Sequence, residues 1–211
     1  MKVIITVDGP AGSGKERISK YIAKKYNLHH IDSGIFYRRL ALELHKAGIK
    51  TLEFKKIKIF ITKIDKLSLN KSSALRLEKI GRYASEIAKH SFIRNFVNYQ
   101  QRLITKYPTK KLGFVIDGRD IGSVVFKKAN LKLYVDVDVN IRAKRRYKQL
   151  IDNGEKSIYL KILKDIKLRD KTDKTRKNSP LVVPRGAKII NNSHTFKTTI
   201  AQIRKIIEGI N

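Results

Sequence analysis

The sequence contains no cysteine and only four prolines among its 211 residues. Without cysteine, the chain can form neither a disulfide framework nor a thiolate metal site. No stretch approaches the roughly 18 consecutive apolar residues of a membrane span. Met1 leads directly into the first predicted strand, which leaves no room for a signal peptide. We therefore expect a cytoplasmic, soluble enzyme without a membrane partner, long enough for one domain with a sizeable core.

Acidic residues are scarce as well. The 18 Asp and Glu residues stand against 48 Lys and Arg residues, which gives a net charge of +30. A basic surface attracts phosphate backbones. However, the lysines are spread through every segment and form no basic tail or low-complexity block. This pattern predicts loose, salt-sensitive association with RNA rather than specific nucleic-acid recognition.

The organising feature of the chain is a glycine-rich segment near its start. Val3–Asp8 is a run of mostly apolar or β-branched residues, typical of a buried parallel strand. Gly9, Gly14 and Lys15 follow in the frame G-x-x-x-x-G-K, and Gly12 lies between them. The glycines allow backbone N–H groups to turn inward as a nest, and the N-terminus of the next helix faces the same point. A chance glycine-rich turn is the alternative, but the strand–loop–helix context favours a phosphate-binding loop in which Lys15 reaches the outer phosphates.

The position after Lys15 usually carries a Ser or Thr hydroxyl that binds Mg²⁺. Here it is Glu16, which is followed by Arg17. A carboxylate also binds Mg²⁺, but it repels phosphates unless the metal or Arg17 screens it. This departure bears on catalysis more than on nucleotide binding.

Strand and helix patterns alternate along the rest of the chain. The predicted helices span residues 14–26, 35–48, 77–104 (with Ser91 capping a second helix), 140–153, 157–170 and 195–210. The further predicted strands span residues 28–31, 112–116, 131–137 and 187–190. Residues 49–78 are Lys-rich, and the partial alternation of Ile57, Ile59 and Ile61 predicts short strands or an irregular insert. The alternation indicates an α/β fold with a doubly wound parallel sheet of about five strands.

Polar residues follow two of the predicted strands. Asp32 and Ser33 come after the second strand, with Arg38 one turn later, and Asp117 follows residues 112–116. Ligands of open α/β sheets bind at the carboxyl edge, where these residues lie. Asp117 is placed to organise Mg²⁺, although an ordinary turn residue is an alternative. Asp32 and Ser33 also suit a helix cap.

Several sequence blocks occur together and in order. They are DGPAGSGK at 8–15, IDSGIFYR at 31–38, ASEIA at 84–88, DGRDIGSVVF at 117–126, RAKRRYKQL at 142–150 and RDKTDKTRKNSPL at 169–181. In these blocks the chain resembles the bacterial cytidylate kinases of the P-loop nucleoside monophosphate kinase superfamily. The resemblance implies a single three-layer kinase domain over 1–211, with a monophosphate-binding insert at 49–78 and a lid at about 142–160. It also implies transfer of the γ-phosphoryl group of ATP to CMP or dCMP with Mg²⁺.

The resemblance assigns roles to individual residues. The ATP-binding loop is Gly9, Pro10, Ala11, Gly12, Ser13, Gly14, Lys15, Glu16 and Arg17. The CMP-binding residues are Ser33, Arg38, Ser85, Arg94, Arg119, Asp120, Arg169, Asp173 and Arg176. The catalytic residues are Lys15, Arg119, Arg145, Arg169 and Arg176, the lid arginines are Arg142, Arg145 and Arg146, and the candidate Mg²⁺ ligands are Glu16 and Asp117.

Within the CMP-binding set, the resemblance implies three tasks. Residues like Ser85, Arg94 and Asp120 read the cytosine in the family. Those like Arg169 and Asp173 reach the sugar, and Arg38 and Arg119 lie near the monophosphate. Arginine suits these tasks because its planar fork grips phosphate oxygens and stays charged.

The chain departs from the family pattern in two further places. The segment before Ala84 is shorter than the β-rich insert of the family, and Thr172 stands where the family has an Arg. Two alternatives therefore stay open: a related small kinase acting on UMP or another acceptor, and a nucleotide-binding, RNA-associated protein with weak or lost kinase activity. The second is motivated by Glu16 and the net charge. In each case we expect a monomer.

Overall fold

The structure, a computed structural model, describes residues 2–70 and 72–209. It contains five strands and eight α-helices over these residues, together with a 3₁₀ turn and one π-helical turn. In chain order they are β1 (Val3–Asp8), α1 (Lys15–Lys25), β2 (Leu28–Asp32), α2 (Gly34–Lys46), α3 (Phe54–Thr62), the 3₁₀ turn (Ser73–Arg76), α4 (Glu78–Ile87), α5 (Ser91–Lys106), β3 (Gly113–Gly118), the π turn (Ile121–Val125), β4 (Leu131–Asp136), α6 (Val139–Asp152), α7 (Tyr159–Thr175), β5 (Lys188–Asn191) and α8 (Phe196–Glu208).

The five strands form one parallel sheet in the order β2-β3-β1-β4-β5. The central strand β1 pairs with β3 from Val3↔Gly113 to Asp8↔Gly118, and with β4 from Ile5↔Leu131 to Asp8↔Tyr134. Asp8 and the phosphate loop after it therefore lie at the carboxyl edge of the middle of the sheet. This architecture confirms the predicted α/β fold with a five-stranded parallel sheet.

The chain divides into two compact units. The first comprises Met1–Ile31 and Thr109–Asn211, and the second comprises Asp32–Pro108. In the first unit, α1 and α8 pack against the sheet around a fully buried core that includes Val7, Ile18 and Ile203. The second unit has its own buried core, which includes Phe36, Ile80 and Ile93. A single kinase domain over 1–211 stays a prediction.

The prediction of short strands within 49–78 was wrong. In the described part of this segment the regular structure is α3 and the 3₁₀ turn. Ile57 is completely buried, whereas Ile59 is 59% exposed. The apolar residues Phe54, Ile57 and Ile61 instead recur at the helical spacing of three to four residues. Packing of this stripe thus selected a helix for a run in which apolar alternation alone is ambiguous.

The other elements agree with the predicted positions to within a few residues, apart from three details at helix ends. Helix α7 continues to Thr175, beyond the predicted end at residue 170. Ser91 is the first residue of α5 rather than its cap, because His90 holds the N-cap position. The predicted end of the last helix, Ile210, lies outside the described residues.

None of the helices within residues 2–70 and 72–209 has an apolar stretch long enough to cross a membrane.

Candidate active site

The loop between β1 and α1 has the geometry of a phosphate nest. Gly12 and Gly14 have positive φ angles of 72° and 82°, which disfavour any residue with a side chain. A Cβ atom at Gly9 would lie 2.7 Å from the carbonyl oxygen of Val135. The predicted helix N-terminus follows at once, because Lys15 is the first residue of α1.

Three carbonyl groups of the loop accept hydrogen bonds from side chains. Arg142 Nη1 donates to the Ala11 oxygen at 3.0 Å, and Asn192 Nδ2 donates to the Ser13 oxygen at 2.7 Å. Lys15 Nζ donates to the Pro10 oxygen at 3.2 Å. Because the C=O and N–H groups of a trans peptide point in opposite directions, each of these contacts also sets the direction of the N–H group that follows.

Arg142 is itself firmly anchored. Its guanidinium forms two hydrogen bonds to Asp170 of α7, at 3.1 and 2.5 Å, and its Nε donates to the Val137 oxygen at 3.1 Å. The side chain is only 5% exposed. Bidentate geometry of this kind gives the strongest ion pairs, so Arg142 supports the Ala11 end of the phosphate loop.

The other two predicted lid arginines also lie on α6. Arg145 donates to the backbone oxygens of Asn192 and His194 at 2.8 and 3.1 Å. Arg146 is exposed and donates to Gln149 at 2.9 Å. In this structure, Arg145 therefore braces the turn after β5.

Asp8, the last residue of β1, joins the phosphate-loop strand to the π turn. Its buried carboxylate accepts the N–H groups of Ile121 and Gly122 at 2.9 and 2.7 Å. Burial raises the pKa of Asp8 to about 6, while those two hydrogen bonds act in the opposite direction. A Cβ atom at Gly122 would lie 2.7 Å from Thr6 Oγ1, so the turn approaches β1 closely.

Four of the predicted CMP-binding residues form one charged network in the first unit. Arg119 Nε lies 3.0 Å from Asp173 Oδ2, and Arg176 Nη1 lies 3.6 Å from Asp173 Oδ1. The second terminal nitrogen of Arg176, Nη2, lies 3.9 Å from Asp120 Oδ1. Arg169, one helical turn before Asp173 on α7, is exposed. The structure thus brings together residues that lie more than 50 positions apart in the sequence.

Asp117 has a partner that the sequence analysis missed. It lies within β3, and its Oδ2 atom is 2.6 Å from Nε2 of His30 on the neighbouring strand β2. The Asp117 side chain is 3% exposed and that of His30 is 17% exposed. The two histidines in β2 interrupt an apolar strand, which was the available signal, but the partner of His30 could be known only from the strand order.

Glu16 lies in the first turn of α1, directly after the phosphate loop. Its carboxylate forms an ion pair with Lys20 at 2.5 Å, and this hydrogen bond is the main cause of its lowered pKa. Arg17 points elsewhere, with its guanidinium 3.8 Å from the centre of the Phe196 ring. The predicted screening of Glu16 by Arg17 is therefore supplied by Lys20 in this structure.

Among the described residues, no group of three His, Asp or Glu side chains converges as a protein-only metal site. Mg²⁺ at nucleotide sites commonly uses one or two carboxylates together with the substrate phosphates. Glu16 fits that role because it is exposed beside the phosphate loop. Asp117 fits less well, since its side chain is only 3% exposed, against 60% for Glu16.

The remaining predicted CMP-binding residues lie in the second unit. Ser33 occupies the N-cap position of α2 without a side-chain cap hydrogen bond. Asp32 caps instead, because its Oδ1 accepts the Gly34 N–H at 2.8 Å. Of the two residues that the sequence suggested as a helix cap, Asp32 makes a capping hydrogen bond and Ser33 does not.

Arg38 and Ser85 meet at the same glycine of α4. A Cβ atom at Gly81 would lie 3.0 Å from Arg38 Nη1, and Ser85 Oγ donates to the Gly81 oxygen at 3.0 Å. Arg38 also donates to the Leu75 oxygen at 2.8 Å. The absence of a side chain at Gly81 therefore leaves space for the Arg38 guanidinium.

Arg94 is buried in α5. It is 4% exposed, donates to the Ala88 oxygen at 3.1 Å and lies 5.6 Å from the centre of the Tyr37 ring. The backbone contact and the aromatic ring fix the direction of its guanidinium.

Comparison with known proteins agrees with this geometry. The sheet order and the glycine loop after the central strand define a P-loop nucleotide-binding protein. Two solved structures share the fold: TT1252 from Thermus thermophilus, with a TM-score of 0.54 at 10% identity over 100% of this chain and 98% of that one, and an uncharacterized protein from Eubacterium ventriosum, with a TM-score of 0.52 at 17% identity over 98% and 99%. At these identities the likeness concerns the fold alone.

Sequence comparison is more specific. Residues 5–211 match the family description "Cytidylate kinase". The cytidylate kinase of Bartonella bacilliformis is 37% identical over 190 residues, covering 90% of this chain and 86% of that protein. The cytidylate kinase of Fusobacterium nucleatum is 35% identical over 219 residues, covering 99% and 98%. The chain belongs to the cytidylate kinase family, which confirms the predicted resemblance.

Proposed function

We propose that this protein transfers the γ-phosphoryl group of ATP to CMP and dCMP, which yields CDP and dCDP. The observation that carries the proposal is family membership over residues 5–211 in a chain whose phosphate loop is intact from Gly9 to Lys15. Phosphoryl transfer requires alignment of the two substrates and neutralisation of charge more than covalent chemistry. The chain supplies suitable groups for both tasks.

ATP binds through its phosphates to the loop residues Gly9 to Arg17. The loop N–H groups and the N-terminus of α1 supply donors and a positive potential. Lys15, which donates to the Pro10 oxygen, exchanges this contact for the outer phosphates. Glu16 would hold Mg²⁺, and the bound ion would neutralise part of the phosphate charge.

The family resemblance assigns CMP binding to the Arg–Asp network of the first unit and, within the second unit, to Ser33, Arg38, Ser85 and Arg94. The arginines Arg119 and Arg176 are held in place by Asp173, so they lose little conformational freedom when they bind a phosphate. The same resemblance assigns Arg38 and Arg119 to the monophosphate, and Arg169 and Asp173 to the sugar.

The resemblance assigns cytosine recognition to Ser85 and Arg94 of the second unit and to Asp120 of the first. Cytosine presents an amino donor beside a ring nitrogen and a carbonyl acceptor, and a carboxylate with a hydroxyl and a guanidinium can pair with this pattern. A base that leaves these polar groups without a partner is penalised. Closure of the lid, residues 142–160, excludes water and suppresses hydrolysis of ATP.

The test is a coupled assay with CMP, dCMP, UMP, AMP and GMP at fixed ATP and Mg²⁺. We expect the rates with CMP and dCMP to exceed the other three. Lys15→Ala should abolish turnover, whereas Lys24→Ala, an exposed substitution on the same helix, should leave it unchanged. Equal rates with all five acceptors would contradict the cytosine assignment, and a preference for UMP would establish the related kinase instead.

We further propose that the protein is a cytoplasmic monomer that associates loosely with RNA. The net charge of +30 supports the association. Retention on immobilised RNA should then fall steeply as salt is raised, and retention that is insensitive to salt would contradict it.

A further inference from the structure

Asn192 connects four parts of the first unit. It follows β5, is 6% exposed, and was not singled out by the sequence. Its side-chain nitrogen donates to the Ser13 oxygen of the phosphate loop at 2.7 Å, and its Oδ1 accepts from Thr199 Oγ1 of α8 at 2.7 Å. Its backbone N–H donates to Asp136 of β4 at 3.0 Å, and its backbone oxygen accepts from Arg145 of α6 at 2.8 Å. Each of the four polar atoms of Asn192 therefore takes part in a hydrogen bond.

The bond to Ser13 fixes the direction of a peptide group in the loop. In a trans peptide the C=O and N–H groups point in opposite directions. Because Asn192 holds the Ser13 oxygen from behind the loop, the Gly14 N–H is turned away from Asn192. The nest that receives a phosphate is built from N–H groups of this kind.

Two features show that this contact is built closely. A Cβ atom at Gly14 would lie 2.5 Å from Asn192 Nδ2, so the amide fills the space beside the glycine. Thr199, which is completely buried, donates to Oδ1 and thereby directs the amide nitrogen toward Ser13. The carbonyl oxygen of Ser13 can only accept, whereas the Thr199 hydroxyl can donate or accept, so the opposite orientation of the amide would break the hydrogen bond to Ser13.

We infer that Asn192 is a positioning residue that sets the direction of the Gly14 N–H and, through it, the affinity of the loop for the phosphates of ATP. The inference rests on the proposed function, since it takes ATP as the ligand of the loop. Asn192 acts through Ser13 and Gly14 and does not contact the reacting atoms. Its effect is therefore confined to the ATP side of the reaction.

The main variant is Asn192→Ala, compared with Gln202→Ala as a matched control. Gln202 binds Asn191 through both side-chain atoms at 3.0 and 2.8 Å, so it belongs to the same β5–α8 junction without touching the loop. Loss of the Asn192 hydrogen bond should raise the KM for ATP by about tenfold, the usual effect of one well-placed buried hydrogen bond. The KM for CMP should stay within about twofold, the range within which distant sites act independently, and Gln202→Ala should match the parent in both KM values.

Binding measured separately from turnover keeps the inference distinct from the proposed function. The dissociation constants of ATP, inorganic tripolyphosphate and adenosine are measured by titration of the parent and of Asn192→Ala. We expect weaker binding of ATP and tripolyphosphate with unchanged binding of adenosine. Failure to phosphorylate CMP would overturn the proposed function alone, because the tripolyphosphate comparison does not depend on the acceptor.

Thr199→Val covers the case in which Asn192→Ala fails to fold. Valine preserves the shape of threonine but cannot donate to Oδ1, so Asn192 keeps its contact with less directional control. We expect the KM for ATP to rise by about threefold, which is less than the rise expected for loss of the whole hydrogen bond to Ser13. Unchanged tripolyphosphate binding in both folded variants, or an equal rise in the KM values for ATP and CMP, would overturn the inference.

Discussion

The buried carboxylate of Asp8 allows us to predict how the free energy of unfolding changes with pH. Asp8 is completely buried at the end of β1 and accepts two backbone N–H groups of the π turn. Its pKa is raised from 3.8 to about 6, with burial as the largest cause. The perturbation is the substitution Asp8→Asn, which removes the titration while keeping the size of the side chain.

The sign follows from proton binding in the two states. Between pH 3.8 and about 6 the folded protein binds more protons at Asp8 than the unfolded chain does, so stability falls as the pH rises. The stabilising contribution is complete below pH 3.8 and is lost as the pH passes about 6. A difference of about 2 pKa units corresponds to about 3 kcal/mol.

The assay is denaturant unfolding of the parent and of Asp8→Asn from pH 4 to pH 7.5 at constant ionic strength. Every other carboxylate is present in both proteins, so the difference between their free energies of unfolding reports Asp8 together with its repulsion of Asp120. Relative to Asp8→Asn, the free energy of unfolding of the parent should fall by about 2.4 kcal/mol between pH 4 and pH 7 and stay constant above pH 7. A difference that does not vary with pH would refute the reasoning, because it would mean that Asp8 has an ordinary pKa.

Two further predictions concern single positions in the candidate site. Arg94→Ala should raise the KM for CMP far more than the KM for ATP, because Arg94 belongs to the proposed cytosine contacts; a larger effect on ATP in steady-state assays would show that the base site is misplaced. Glu16→Ala should raise the Mg²⁺ concentration for half-maximal rate by about tenfold or more, since loss of even an indirect metal partner has an effect of that size, while Lys20→Ala should not raise it. A faster enzyme with an unchanged Mg²⁺ requirement would mean that Glu16 only repels the phosphates.

The sequence was most informative where structure is determined locally. The phosphate loop needs glycines at fixed spacing between a strand and a helix, so it can be recognised within about a dozen residues. The alternation of strands and helices is also a local pattern, and it predicted the parallel sheet. The segment 49–78 was harder, because the alternating Ile57, Ile59 and Ile61 also fit a helix with one exposed isoleucine, and only packing decides between the two.

The contacts around the loop could not be predicted in this way. Asn192 lies 179 residues from Ser13, and His30 lies 87 residues from Asp117. Neither residue belongs to a local motif, and each partner depends on which strands are neighbours in the sheet. The resemblance to a family supplied candidate ligand-binding residues, but it did not indicate which side chains hold them in place.

The arrangement behind the phosphate loop has a general consequence for how this site works. Glycines let the loop adopt its shape, but their conformational freedom also lets the loop leave that shape. The structure restrains it with Arg142 at the Ala11 oxygen and Asn192 at the Ser13 oxygen, one from α6 and one from the turn after β5. Since Arg145 of α6 also donates to Asn192, these two restraints are connected. The affinity for ATP phosphates should therefore depend on residues far from the loop in sequence, and substitutions behind it should alter nucleotide binding without changing any group that touches the nucleotide.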